Sequence, residues 1–202
     1  MINRLKFVFI LLAGLFHSCS GGGVDRNNHH SVNISVPAPT SIAIPNGPCS
    51  DPAFTQMDFW VGIWNGRSMV PDNTQESGWK TAKVQNTIFK ILDGCVVEEN
   101  FDGSTLPAGA FNGKSYSTYS KQQGIWHQTW VDNQGGYLPF YGIFEEDKKI
   151  FRREFVRNGN KFFTQMVFYN IEEDSFRWDW ERSSDDGETW TLIWRIEYTR
   201  KM

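Results

Sequence analysis

The sequence predicts an all-β domain, a closed antiparallel up-and-down β-barrel of about ten strands, on three observations. From Phe54 onward, period-2 stretches of apolar and polar residues recur and no helical period competes with them. Turn-forming residues separate the stretches at hairpin-sized intervals, which is the signature of a meander. Aromatic residues make up 15% of the chain, with 16 Phe, 9 Trp and 6 Tyr, too many for a disordered polymer. A sheet that wide with one bulky apolar face must curl closed or fold on itself. Closure is expected, because no other part of the chain can cover that face.

The elements follow in order. Strands are expected near 57–69, 79–92, 95–101, 110–119, 124–132, 137–144, 148–157 and 161–170, with two more at the C-terminal end. In the ninth, Phe176, Trp178 and Trp180 alternate with Arg177, Asp179 and Glu181. In the tenth, Trp190, Leu192, Trp194, Ile196 and Tyr198 are expected to share one face. The connections carry Asp93-Gly94, Asp102-Gly103, Asn133–Gly136, Glu145–Asp147 and Asn158-Gly159-Asn160, all residue types that turns favour.

Ahead of the barrel the chain reads as an address and a tether. Arg4 and Lys6 precede the apolar run Phe7–Phe16, and the small residue Ser18 stands before the cut, so residues 1–18 read as a secretory signal peptide. At ten residues the run is too short to span a bilayer, which takes about 20. The Ser18-Cys19 junction resembles a bacterial lipobox, which implies lipidation of Cys19 and a membrane-anchored, exported lipoprotein. Residues 19–48 read as anchor and flexible tether, with Gly21–Gly23, a polar Asn27–His30 stretch and four prolines. The adjacent His29 and His30 fit a solvated linker better than a metal site. Residues 49–202 form the barrel domain. With Cys19 lipidated, Cys49 and Cys95 are left, and an oxidising compartment favours a disulfide between them.

Composition removes several functions. With 20 basic against 23 acidic residues, the chain has no electrostatic footprint for nucleic acid. Gly109 to Ser115 has three residues between Gly109 and Gly113 where a phosphate-binding loop needs four, and it leads into a strand-like run. His127 is the domain's single histidine and no G-x-S-x-G accompanies it, which disfavours hydrolase triads and an all-protein zinc site. No catalytic residue, metal or cofactor is expected.

Two local patterns resemble known families. Gly62-Ile63-Trp64 matches the G-x-W signature of calycins, the lipocalins, fatty-acid-binding proteins and nitrobindins. That resemblance implies that Trp64 plugs one barrel end beneath a late-strand arginine, and Arg200 suits the role by parity. A wider set is more specific: Asp58 to Trp64, Ile91 to Cys95 with Glu98–Asn100, Trp126 to Asp132, and Ser184 to Trp190. Together they resemble an uncharacterised family of secreted bacterial calycin-like proteins, which implies a barrel and a location but no reaction. Ser183-x-Asp185-x-Gly187-x-Thr189-Trp190 also resembles the sialidase Asp-box, a structural hairpin device. It implies that Asp185 binds turn amides, Gly187 takes a positive φ and Trp190 packs inward.

The functional expectation is an exported barrel that binds a small, largely apolar molecule in the cell envelope without covalent chemistry. Glu99, Gln128 and Trp130 are the candidate pocket contacts, followed by His127 and Tyr141. Which face of the 124–132 strand points inward stays open. An inward His127 could ligate haem iron as in nitrobindins, whereas an inward Trp126–Trp130 face makes Gln128 the polar group of an aromatic pocket. A ligand-free structural or interaction module of an envelope complex is the rival reading, ahead of a haem barrel or a hydrolase.

Overall fold

The computed structural model describes residues 47–202. The signal peptide, Cys19 and the tether up to residue 46 lie outside the described residues. Ten strands run in chain order: β1 (Gly62–Pro71), β2 (Trp79–Ile91), β3 (Val96–Gly103), β4 (Phe111–Ser120) and β5 (Ile125–Asp132), then β6 (Tyr137–Phe144), β7 (Lys149–Arg157), β8 (Asn160–Tyr169), β9 (Ser175–Ser183) and β10 (Thr191–Arg200). Each pairs antiparallel with its sequence neighbours, and β10 pairs back onto β1 with Trp64 opposite Arg200 and Ser68 opposite Ile196. Closure leaves no free sheet edge, the general weakness of open sheets.

The turns follow from local chemistry. The β7–β8 hairpin is a two-residue loop, Asn158-Gly159, in which both residues have positive φ, at 52° and 77°. This is the mirror-image turn whose twist matches the flanking strands, and Asn-Gly is its preferred pair. Leu92, Asp93 and Gly94 make a similar excursion between β2 and β3.

Residues 57–61 depart from the expected strand. Two short 3-10 turns, Pro52–Thr55 and Asp58–Trp60, precede β1 and lie across one end of the barrel. Asp51 caps the first by accepting from the Ala53 amide at 2.9 Å. Phe54, Met57 and Trp60 are buried, and Trp60 meets Phe168 edge-on at 5.1 Å between ring centroids. The apolar residues that read as strand are therefore a plug, which needs large side chains but no period of two. The disulfide joins Cys49, just before the plug, to Cys95 at the start of β3.

Trp64 seals this end from inside. It is fully buried, donates its indole N–H to the Trp60 carbonyl at 2.8 Å, and lies under the Arg200 guanidinium at 4.1 Å. Arg200 in turn donates to the Val61 and Glu173 carbonyls, at 2.9 and 2.8 Å. Gly62 makes the stacking possible. Its φ is +142°, and a Cβ there would sit 2.3 Å from an Arg200 nitrogen.

β10 contains a bulge that period-2 reading missed. Register shifts between Leu192 and Trp194, so Trp194, Ile196 and Tyr198 face inward while Leu192 pairs with the outward Glu181. Trp190 consequently does not pack into the barrel. Its indole donates to the Gly187 carbonyl at 3.1 Å and lies under the outward-facing Arg152 at 4.8 Å. Asp185 organises the same loop, accepting from the Ser183 hydroxyl and the Thr189 amide, and these hydrogen bonds hold its carboxyl down at about 2. Gly187 has a φ of +88° there.

Candidate functional site

β5 presents Trp126, Gln128 and Trp130 to the interior, and His127 and Thr129 to the outside. The alternation left open by the sequence is settled by neighbours. Trp126 packs on Phe144 and Tyr119, and Trp130 packs on Phe101 and Phe111, all of them interior rings.

Above the plugged end the interior is not filled. A chamber of about 350 Å3 remains between β3–β6 on one side and β8–β10 on the other. Its volume lies at the lower end of the range for small-molecule sites. Trp130, Trp178, Trp180 and Trp194 form much of its wall, with Phe101 and Phe140 between them. Trp178 meets Trp194 edge-on at 5.3 Å, and Trp180 meets Phe140 in the same way at 5.8 Å. Two of the indoles are fixed by hydrogen bonds. Trp194 donates to the Ser68 hydroxyl at 2.7 Å, and Trp130 donates to Asp132 at 2.9 Å. Asp132 also accepts the Gly136 amide at 2.8 Å, so one carboxylate holds both the chamber's rim and the β5–β6 turn.

Small residues on neighbouring strands make room for the rings. A Cβ on Gly113 would lie 2.1 Å from the Trp130 ring, so the indole rests directly on the β4 backbone. On β1, a Cβ at Gly66 would meet Val84, Ile196 and Tyr198 within about 3 Å. These positions carried no recognisable signal in the sequence.

Glu99 is the chamber's buried acid. It is 8% exposed, lines the cavity, and accepts the Ser115 hydroxyl at 2.6 Å and the Asn86 amide at 2.7 Å. Burial pushes its carboxyl up to about 7, although both hydrogen bonds pull the other way. The Asn86 amide also reaches the Tyr198 hydroxyl at 3.4 Å, and burial holds that phenol well above its ordinary range. The resemblance of Gly109–Ser115 to a phosphate loop therefore resolves into other uses. Gly113 seats Trp130, Lys114 pairs outside with Glu98 at 3.3 Å, and Ser115 supports Glu99.

The five expected pocket residues separate into three positions. Glu99 and Trp130 line the chamber. Gln128 is interior and 1% exposed, but it donates to Ser117 at 2.9 Å away from the chamber wall. His127 and Tyr141 are cross-strand partners on the outer surface, where Tyr141 is 36% exposed and His127 contacts Gln123. Neither belongs to the chamber, because odd-numbered positions on β5 and β6 turn outward. An iron inside the chamber would find no imidazole on its wall. Among the described residues, no group of three or more metal-ligating side chains converges.

Fold and cavity together define a closed antiparallel β-barrel with an aromatic-walled interior chamber. No model of a known family matches the chain, and no curated protein matches it.

Proposed function

We propose that the protein is an exported, lipid-anchored barrel of calycin type that binds a small, largely apolar molecule in the cell envelope without covalent chemistry. The observation that carries the proposal is the unfilled chamber. Small barrels can be filled by their own side chains. This one keeps about 350 Å3 open among four indoles, with few polar groups on the wall. Two of these rings, Trp194 and Trp130, are held out of that space by Ser68 and Asp132, so an apolar guest gains contact area with little reordering of the wall.

Native mass spectrometry of the purified, signal-free protein tests the binding half. An added mass that co-purifies, or that appears after exposure to cell extract, is the expected result. Repeated absence of any guest would favour a ligand-free scaffold in an envelope complex.

The calycin and export halves rest on other features. Trp64 beneath Arg200, with Gly62 beside them, is the arrangement that the resemblance implies for the closed end. The Cys49–Cys95 disulfide supports an oxidising compartment. The anchor rests on Arg4, Lys6, the Phe7–Phe16 run and the Ser18-Cys19 junction. Labelled palmitate fed to cells expressing the full chain should enter the protein, and Cys19→Ala should abolish both the label and membrane fractionation. Undiminished label in that variant would remove the anchor.

A further inference from the structure

We infer that the chamber selects an organic ammonium ion, an apolar body held against the indoles with its N–H donors on the Glu99 carboxylate. The inference rests on the chamber being a ligand site and specifies the chemical class of its guest.

Charge on the wall points one way. The ionisable side chains lining the chamber are Glu99, Asp132 and the Tyr198 phenol, and no Lys, Arg or His joins them among the described residues. Arg153 is on the inner side by register, opposite Thr164, but stands outside that wall. A buried carboxylate is costly unless a cation or a full set of donors meets it. Glu99 receives one donor on each oxygen, from Asn86 and Ser115, and each oxygen keeps a second acceptor site. Both donors are neutral, so the protein supplies hydrogen bonds and no countercharge. A guest ammonium group would supply it.

The rest of the wall suits the same guest. Trp130, Trp178, Trp180, Trp194 and Tyr198 surround the chamber, and the π faces of such rings are electron-rich. A cation over an indole face is stabilised further when water is excluded. An anionic guest would meet two carboxyl groups and no basic partner on the wall.

Protonation then follows from the site. The titratable group facing Glu99 across the interior is Tyr198, which burial keeps neutral, while β2 and β4 contribute only Asn86 and Ser115. With the free carboxyl at about 7, an ammonium guest must displace a proton in acid and none in base. Affinity therefore rises with pH and levels off above 7, by about tenfold from pH 6 to 8.

Titration calorimetry of the signal-free protein with phenylbutylamine, phenylbutanol and phenylbutyrate separates head-group from tail, since all three share one apolar body. The expected result is an amine at least about tenfold tighter than the alcohol at pH 8, with the advantage shrinking at pH 6. Glu99→Gln should erase the preference for amine over alcohol. Equal amine and alcohol affinities in the wild type, a tighter carboxylate, or an amine preference retained in Glu99→Gln would each overturn the inference. Alcohol binding without amine preference would leave the carrier reading standing. A chamber that takes none of the three, and stays empty in native mass spectrometry, would remove both.

Discussion

Glu99→Gln should stabilise the ligand-free barrel at pH 8 by about 3 kcal/mol and change it little at pH 4.5. The sign follows from the direction of the shift. The folded carboxyl is raised from 4.5 to about 7, so between those values the native state holds a proton that the unfolded chain has released. Stability contributed by the protonated acid is fully present below 4.5, declines as pH rises through the window, and is lost above 7. Glutamine does not titrate and keeps the neutral form's advantage throughout. It also fits the hydrogen bonds available. Its carbonyl can accept from Ser115, and once the Asn86 amide flips from its present N–H contact, the glutamine amide can donate to the Asn86 carbonyl oxygen, which has no partner in the native site. Urea unfolding at the two pH values measures the difference, expected as a midpoint shift of about 1–2 M at pH 8 alone. A gain over wild type no larger at pH 8 than at pH 4.5 would show that Glu99 carries no buried charge.

In the sequence Glu99 shows only as an acid on a strand, with the apolar Val97 and Phe101 two positions to either side. What made the barrel legible was redundancy. Ten stretches of alternating residues all support one answer, and a misplaced boundary changes little. The site had less support. The inward face of β5 depended on whether Trp126 and Trp130 or His127 and Val131 met the core, and both sets are partly apolar. Tyr141 lies on the outer side for the same reason, since its chain neighbour Phe140 fills the interior position. The bulge before Trp194 is a one-residue change of register, to which an alternating pattern is blind until the partner strand is known. Gly113 and Gly66 work through absent side chains, so their effect appears only when the rings they accommodate are placed. Residues 57–61 form a plug where a strand is expected because a plug and a strand ask for the same apolar residues.

The second large effect concerns the closed end. Replacing both Cys49 and Cys95 with serine should destabilise the domain by about 4 kcal/mol, because the bridge closes a sequence separation of 46 residues in the unfolded chain. Direct contacts of the bridge account for little of this, since its main action is on the entropy of the unfolded state. Its position adds a local consequence. The bridge ties the chain just before Phe54, Met57 and Trp60 to the start of β3, so its loss frees one end of the plug while Trp64 and Arg200 hold the other. Lys90 provides a second fastening, donating to the Phe54 carbonyl at 3.1 Å and pairing with Asp58. The plug should therefore loosen without leaving the barrel. Hydrogen exchange in the double variant should accelerate first at the amides of Phe54 and Gln56, which are bonded to Asp51 and Ala53, before the β1–β10 seam responds. Uniform acceleration across all ten strands would mean that the bridge stabilises the barrel only globally. An unchanged unfolding midpoint would mean that the unfolded chain already keeps these two cysteines close, and that the entropic account fails for this protein.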